Sequence, residues 1–94
     1  MLTIERLSAS SISLTGRFDA SQVDTAQTAF AELEAPAVVE CEHLDYISSA
    51  GIGVFLSLAQ RLSDGGEKVK LTKINSQIRK IFEYAGLTQI FDLE

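Results

Sequence analysis

The sequence predicts a single α/β domain, residues 1–94, built on a mixed and largely parallel β-sheet. Stretches that alternate apolar and polar residues, as half-buried strands do, recur along the chain, and stretches with apolar residues at helical spacing separate most of them. Strands that alternate with helices pair in parallel, whereas the first two predicted strands have no helix between them and are expected to be antiparallel neighbours. A chain of 94 residues provides one modest core.

The predicted order of elements is β-β-α-β-α-β-α-β. Strands are expected at residues 1–6, 11–15, 37–41, 67–72 and 89–91, and helices at residues 22–33, 50–64 and 76–85. Gly16 is expected to end the second strand. In the second helix, residues at about 100° per position separate into an apolar arc and an opposite face that carries Gly53, Ser57, Gln60, Arg61 and Asp64.

Residues that favour helix ends mark the predicted boundaries. Ser21 is a candidate N-cap for the first helix, and Pro36 prevents that helix from continuing. Either Asn75 or Ser76 is expected to cap the third helix, and Gly86 suits the position after its last turn.

Composition and charge exclude several classes of function. The formal net charge of −5 argues against binding to nucleic acid or to an anionic membrane surface, since both require a basic patch. No apolar run reaches the roughly 18 residues that a membrane span needs, and residues 1–5 do not resemble a signal peptide. The single Cys41 cannot form an internal disulfide, so a cytoplasmic location is expected.

Catalytic and metal sites are not expected. Cys41 and His43 have no further Cys or His to complete a metal site, and His43 is the only histidine available as a general base. Gly51 and Gly53 lack the third glycine of a dinucleotide-binding motif, and no P-loop lysine follows them. We therefore expect a protein that is not an enzyme and that uses neither a cofactor nor a metal.

The stretch from Asp45 to Gly53 carries the remaining chemistry. Two adjacent hydroxyls, those of Ser48 and Ser49, stand between a predicted strand and the second helix. Either serine could serve only as the helix N-cap. Alternatively, a serine at a helix N-terminus is a favourable position for a phosphate, and phosphorylation would add charge beside Asp45 and Asp19.

Three motifs give the chain a resemblance to the STAS domain, which bacterial anti-sigma factor antagonists share with the cytoplasmic tails of sulfate transporters. The residues Tyr46–Gly53 resemble the signature of that family. Leu14–Asp19 resembles its L-x-G-x-L-D motif, and Ile81–Leu87 resembles its I-x-x-x-G-L motif. The three motifs occur in the family's order and span nearly the whole chain.

The resemblance implies a fold, a function and partners. The STAS, or SpoIIAA-like, fold is a mixed sheet with helices on one side. The implied function is that of an anti-sigma factor antagonist: the unphosphorylated protein binds an anti-sigma factor that is itself a serine kinase, phosphorylation ends this binding, and a serine phosphatase restores it. Aligning the motif on Gly51 places Ser49 at the phosphorylated position, with Asp19 and Asp45 nearby. A monomer is expected because the net charge, and hence the surface, is acidic.

Expected partner-binding positions are Gly51, Gly53, Val54, Ser57 and Arg61. The chain departs from the family pattern at Ser48, where an aspartate is usual, which makes Ser48 a secondary candidate for phosphorylation. It also ends at Glu94, so the fourth helix of many family members is expected to be absent.

Two other functions remain open on the sequence. One is a non-phosphorylated STAS adaptor, such as a regulatory subunit of a transporter complex, in which Ser49 only caps the helix. The other is a module that binds a small molecule or a nucleotide at the helix N-terminus.

Overall fold

The computed structural model describes residues 1–63, 66 and 68–94 of the chain. Its strands are β1 (Leu2–Ser8), β2 (Ser11–Phe18), β3 (Val38–Ile47), β4 (Val69–Thr72) and β5 (Phe91–Leu93), and its helices are α1 (Val23–Ala31), α2 (Ser49–Leu62) and α3 (Ser76–Tyr84). A short 3₁₀ turn, Ala20–Gln22, precedes α1. The predicted order of elements is confirmed. No helix in the described ranges is long and apolar enough to cross a membrane.

The five strands form one sheet in which their spatial order is the same as their order in the chain. β1 is antiparallel to β2, and all other neighbouring strands are parallel. The mixed, largely parallel sheet predicted from the sequence is therefore confirmed. Because parallel neighbours require a crossover, each helix connects two adjacent strands across the same sheet.

All three helices cover the same face of the sheet, and five phenylalanines join the two layers. The ring of Phe55 in α2 lies 5.2 Å from that of Phe30 in α1 and 5.7 Å from that of Phe82 in α3, measured between centroids. Phe18 of β2 and Phe91 of β5 pack on the same Phe55 ring from the sheet. The opposite face of the sheet carries the exposed or half-buried polar residues of the strands.

β3 continues six residues beyond the predicted end at Cys41, to Ile47. The pattern of apolar residues did not indicate this extension. Its register with β2 shifts at two places, where β3 has one residue more than its partner strand. The buried residues Cys41, Leu44 and Ile47 are consequently three positions apart instead of two. Since alternation with period two is the main signal for a strand, the two bulges removed that signal.

β2 also runs further than predicted, to Phe18, because Gly16 does not end it. Gly16 has a φ of 101° inside the strand, and a Cβ at this position would clash with the carbonyl oxygen of Met1. The glycine thus permits the first residue of the chain to approach β2 closely, and the strand continues beyond it.

The predicted N-cap of the first helix is wrong. Asp19, and not Ser21, caps this region: its carboxylate accepts a hydrogen bond from the Ser21 backbone at 3.0 Å and starts the 3₁₀ turn. α1 then begins at Val23 without a side-chain cap. Asp19 is as good an N-cap residue as Ser21 by type, so propensity alone could not rank them.

The boundaries in the second half of the chain are partly confirmed. Asn75 caps α3 by accepting a 2.9 Å hydrogen bond from the Ile78 backbone, which decides between Asn75 and Ser76. Gly86 follows the last turn with a φ of 74°, as predicted. β5 begins at Phe91, two residues later than expected. The predicted boundaries at Asp64 and Glu67 lie outside the described residues.

Candidate functional site

The two adjacent serines lie at the junction between β3 and α2, where they occupy different positions. Ser48 is the N-cap of α2: its backbone is extended, and its Oγ accepts a hydrogen bond from the Gly51 backbone at 3.2 Å. The backbone N–H of Ser48 also donates to the carbonyl of Phe18 at 2.9 Å, which attaches the junction to the end of β2. Of the two serines, Ser48 is therefore the one that stabilises the start of α2.

Ser49 is the first residue of α2, one position earlier than predicted, and its side chain is exposed. Within the described part of the chain, its hydroxyl makes no hydrogen bond. The first turn of a helix has free backbone N–H groups and the positive end of the helix dipole. The Ser49 hydroxyl thus combines accessibility with a local field that favours an anion.

Gly51 allows α2 to begin close to the sheet. A Cβ built on this residue would lie 2.9 Å from Cγ1 of Ile47 and 3.0 Å from Cδ1 of Phe18, both of which are buried. Gly51 is itself buried. Its contribution to the site is consequently to position the junction and not to present a surface.

Asp19 stands beside this junction. It directly follows Phe18, whose carbonyl holds Ser48, and the 3₁₀ turn that it caps packs next to α2. A hydrogen bond from the Ser21 hydroxyl is the main cause that lowers the pKa of the Asp19 carboxyl. Asp19 is therefore ionised at neutral pH and contributes a fixed negative charge near the two serines.

Asp45 lies on β3 shortly before the junction, with its side chain exposed. Its carboxylate makes no hydrogen bond or ion pair with any residue that the structure describes. Close to it, the guanidinium of Arg17 stacks over the Tyr46 ring at 4.3 Å from the ring centroid. Asp45 is a solvated charge on the approach to the site.

The predicted partner-binding positions divide into exposed and buried ones. Gly53 and Ser57 are exposed on α2 together with Ser49, so these three residues form a ridge of small side chains that we call the α2 crest. A Cβ at Gly53 would meet no atom within 4 Å. Val54 is buried with an exposed fraction of 3% and, like Gly51, does not form part of this crest.

Arg61 connects α2 to the end of α1, a role that the sequence did not indicate. Its Nη2 donates hydrogen bonds to the carbonyls of Phe30 and Leu33, both at 2.8 Å. Phe30 lies in the last turn of α1 and Leu33 two residues beyond its end, where backbone carbonyls lack i+4 partners within the helix, so Arg61 provides side-chain donors at this end of α1. The contact joins residues 28 and 31 positions apart, and no local pattern in a sequence signals such a pairing.

A hollow of about 220 Å³ separates α1 from α2 below the crest. Its walls include Phe30 and Ala31 from α1 and Val54 and Leu58 from α2, and Arg61 lies at its rim. No motif in the sequence of α1 signals a role at this surface, so the contribution of the helix was not predicted.

Cys41 and His43 are not part of this site. Burial in β3 raises the pKa of the Cys41 thiol to about 12, so the thiol stays protonated. His43 is exposed on the same strand and lies 3.9 Å from the Glu42 carboxylate. The described residues contain no group of three or more side chains that could hold a metal ion.

Comparisons with known proteins agree with this architecture. The chain aligns over its full length with the unphosphorylated form of the anti-sigma factor antagonist SpoIIAA, with a TM-score of 0.70 and 15% identity, covering 87% of that chain. Over 99% of its length it aligns with an anti-sigma factor antagonist from Mycobacterium paratuberculosis, with a TM-score of 0.77 and 16% identity, covering 83% of that chain. At these identities the likeness shows the SpoIIAA-like fold, which the resemblance to the STAS family implied.

Sequence comparisons extend this likeness to the family. BtrV of Bordetella bronchiseptica, a proposed anti-sigma factor antagonist, is 36% identical over 58 residues, which are 62% of this chain and 50% of BtrV. The match thus spans about half the length of that curated relative. The family model described as "Mlab, STAS domain" matches residues 3–93. Because this match covers nearly the whole chain, the protein belongs to the STAS domain family.

Proposed function

We propose that this protein is an anti-sigma factor antagonist controlled by phosphorylation of Ser49. In its unphosphorylated form it binds an anti-sigma factor with serine kinase activity and thereby releases a sigma factor. The kinase transfers the γ-phosphoryl group of ATP to the Ser49 oxygen, the serine proton passes to a base of the kinase, and ADP leaves. A serine phosphatase removes the phosphate and restores binding.

The observation that carries this proposal is that one serine, Ser48, caps α2 while the other, Ser49, has a free and exposed hydroxyl within the described part of the chain. Because Ser48 caps α2, the Ser49 hydroxyl is not needed by the fold and remains exposed. Family membership supports the proposal, and so do the names of the relatives, which include structures of SpoIIAA in unphosphorylated and phosphorylated forms. Ser48 is the secondary candidate, since its hydroxyl already accepts the capping bond.

A phosphate on Ser49 would end binding through local charge and bulk. Phosphorylation adds a charge of about −1.5 to −2 at neutral pH. The added charge stands near the ionised Asp19 and at the end of the α2 crest, whose other members are small. A partner that packs on the crest would then have to bury an anion beside a second anion, at a high desolvation cost.

The test of the proposed site is a labelling experiment with matched serine variants. The chain is incubated with ATP and the anti-sigma kinase encoded in the same genome, and the phosphorylated residue is located by mass spectrometry. We expect label on Ser49 in the wild type and in Ser48→Ala, and loss of most label in Ser49→Ala. Equal labelling of Ser49→Ala and the wild type would show that the site is assigned to the wrong residue.

A charge at Ser49 should affect binding without affecting the fold. We expect Ser49→Asp to weaken binding of the kinase while leaving the thermal midpoint nearly unchanged, because the side chain is exposed and unbonded. Binding is measured by calorimetry and the midpoint by circular dichroism, with Ser76→Asp, at the first position of α3, as the matched control. If Ser49→Asp lowers binding and thermal midpoint together, Ser49 is part of the fold and not a switch.

A second candidate function is a non-phosphorylated adaptor, such as a regulatory subunit of a transporter complex. The observation that favours it is Ser48, which stands where phosphorylated family members carry an aspartate, so that the usual carboxylate beside the phosphorylated serine is missing. In an adaptor the crest would be a permanent contact. The adaptor would then bind a transporter ATPase equally well as wild type and as Ser49→Ala, and no kinase would label it.

The genes beside this one provide an independent test of the two functions. A neighbouring gene for a kinase-like ATPase supports the switch, whereas a lipid-transport operon supports the adaptor.

A further inference from the structure

The hollow between α1 and α2 is apolar inside and too small for a typical free ligand. Its volume of about 220 Å³ lies below the roughly 300–1,000 Å³ of small-molecule pockets. Its lining is largely hydrocarbon and comes from the exposed Ala31 and from Phe30, Val54 and Leu58, each of which is 3% exposed. A single large apolar side chain of another protein matches this space better than a small molecule does.

Arg61 provides an oriented positive charge at the rim of the same hollow. The two hydrogen bonds of its Nη2, to the carbonyls of Phe30 in α1 and of Leu33 just beyond that helix, hold the guanidinium in place. Its Nε and Nη1 donate no hydrogen bond to the residues that the structure describes, and none of the ion pairs found among those residues includes Arg61. A guanidinium fixed in this way has donors ready for a carboxylate and loses little entropy when it binds one.

We propose that this hollow receives an amphipathic, acidic helix of the partner protein. One apolar side chain of that helix enters the hollow, and a carboxylate one turn away pairs with Arg61. Residues three or four apart on a helix face the same way, so one helix can present both groups to one groove. The inference rests on the proposed function, because it describes the partner of the same surface.

Charges along the groove give the docked helix a direction. α1 and α2 begin at the same end of the sheet, since both follow a parallel strand, and Asp19 and Asp24 mark that end with negative charge. The carboxylate of the partner therefore lies at the Arg61 end. Ser49 lies at the acidic end, so a phosphate there adds repulsion against an acidic helix. The phosphate therefore weakens binding of the partner, as the proposed switch requires.

A display selection tests the chemistry of the partner without knowing its name. A library of peptides presented on a helical scaffold is selected against the immobilised full chain. We expect enriched peptides to combine Leu, Ile, Phe or Met with Asp or Glu three or four positions away. A parallel selection against Arg61→Gln should enrich the apolar residue without the acidic one.

Matched tryptophan variants locate the binding. Gln27 lines the hollow from α1, and Gln77 is an exposed glutamine on α3 away from it. Gln27→Trp should weaken the selected peptides by about tenfold or more, as blocking a central interface pocket does. Gln77→Trp should leave their affinity within about twofold, as expected of a surface position outside an interface.

Three results would overturn the inference: no enrichment, enrichment of basic peptides, or equal binding to the wild type and Gln27→Trp. If the selection succeeds and no kinase labels Ser49, the inference stands and the phosphorylation switch fails. In the converse result, Ser49 is labelled but the selection fails. That result contradicts the acidic helix as the partner and leaves the phosphorylation switch standing. Gln27→Trp keeps the test decisive even if Arg61→Gln does not fold, since Gln27 is exposed.

Discussion

Ser48 and Ser49 have the same side chain and adjacent positions, but they differ in the hydrogen bonds that they make. Ser48 donates through its backbone to β2 and accepts through its hydroxyl from α2. Ser49 is exposed, and its hydroxyl has no partner within the described residues. This difference decides which of the two hydroxyls can change its chemistry without a change in stability.

Removing the two hydroxyls one at a time should separate the cap from the free serine. We expect Ser48→Ala to lower the free energy of unfolding by about 1 kcal/mol, because the Gly51 N–H loses its partner. Ser49→Ala should change it by less than about 0.5 kcal/mol, as exposed substitutions do. Chemical denaturation measures both, and Ser48→Asp, which keeps a capping oxygen, serves as the control. Equal losses in the two alanine variants would contradict this assignment.

Cys41 should be inert while the protein is folded. Burial raises the pKa of its thiol to about 12, so almost no thiolate exists at neutral pH and reagents cannot reach the sulfur. We expect iodoacetamide to label Cys41 only after the chain is denatured, as followed by mass spectrometry. Rapid labelling of the native protein would show that β3 opens locally.

At the residue scale, the sequence placed the two serines at the start of α2 but did not show which of them caps the helix. Both serines have the right type for a cap and adjacent positions, and the start of a helix is uncertain by a residue or two. Ser48 is distinguished by the capping bond that its hydroxyl accepts from Gly51, and by a backbone bond to Phe18 of β2, 30 positions earlier in the chain. The same limit applies to Arg61, whose bonds to α1 depend on how the helices pack.

Among the elements, α2 contributes both to the hydrophobic core and to the proposed binding surface. One side of this helix packs on the sheet through Phe55 and Leu58, and the opposite side presents the crest. Its two glycines belong to different sides. Gly51 faces buried atoms of Ile47 and Phe18, whereas Gly53 faces open space.

The two glycines of α2 should respond to the same substitution in opposite ways. Gly51→Ala should destabilise the protein by about 1–3 kcal/mol, because the new methyl group overpacks the junction with β2 and β3. Gly53→Ala should stabilise it by up to about 1 kcal/mol, because alanine is the better helix former and the space is empty. Thermal and chemical unfolding of both variants give the comparison; destabilisation by Gly53→Ala would contradict it.

A bulky side chain at Gly53 should distinguish an effect on binding from an effect on folding. Gly53→Arg should fold, since nothing lies within 4 Å of the new Cβ. We expect it to impair binding of the kinase by bulk on the α2 crest, as measured by calorimetry. Gly53→Ala is its matched control, and unchanged binding of Gly53→Arg would place the partner elsewhere.

The sequence predicted the existence and order of the elements well, because most of them follow one clean period. α2 keeps its apolar residues at helical spacing, and β4 alternates strictly. β3 was predicted too short because its two bulges place buried residues three apart, which is a spacing typical of helices. Bulges are set by pairing with a neighbouring strand, and this pairing has no local signature.

For the molecule as a whole, the aromatic cluster is the principal link between the helical layer and the sheet. Phe55 lies at its centre, fully buried, with four other rings within 6.1 Å between centroids. Three of these four pairs, those with Phe30, Phe82 and Phe91, are edge-to-face, and such pairs contribute beyond their buried area. Because the five rings come from five different elements, the cluster couples them into one cooperative unit.

Truncating the central ring should remove a large part of the stability. We expect Phe55→Ala to lower the free energy of unfolding by about 3–5 kcal/mol, out of the roughly 5–14 kcal/mol typical of a domain of this length. Tyr84→Ala is the control, because that ring is 90% exposed and should change stability by less than about 0.5 kcal/mol. Denaturant titration measures both, and similar effects would show that the core is centred elsewhere.

The order of the strands has a consequence for how the protein is made. Since each strand lies beside the one before it, a chain that leaves the ribosome from its N-terminus can add every new strand to an edge that already exists. No strand has to be inserted between two that are paired, and each crossover closes a short loop. Synthesis and folding can therefore advance together, in the same direction, from the first hairpin to the last strand.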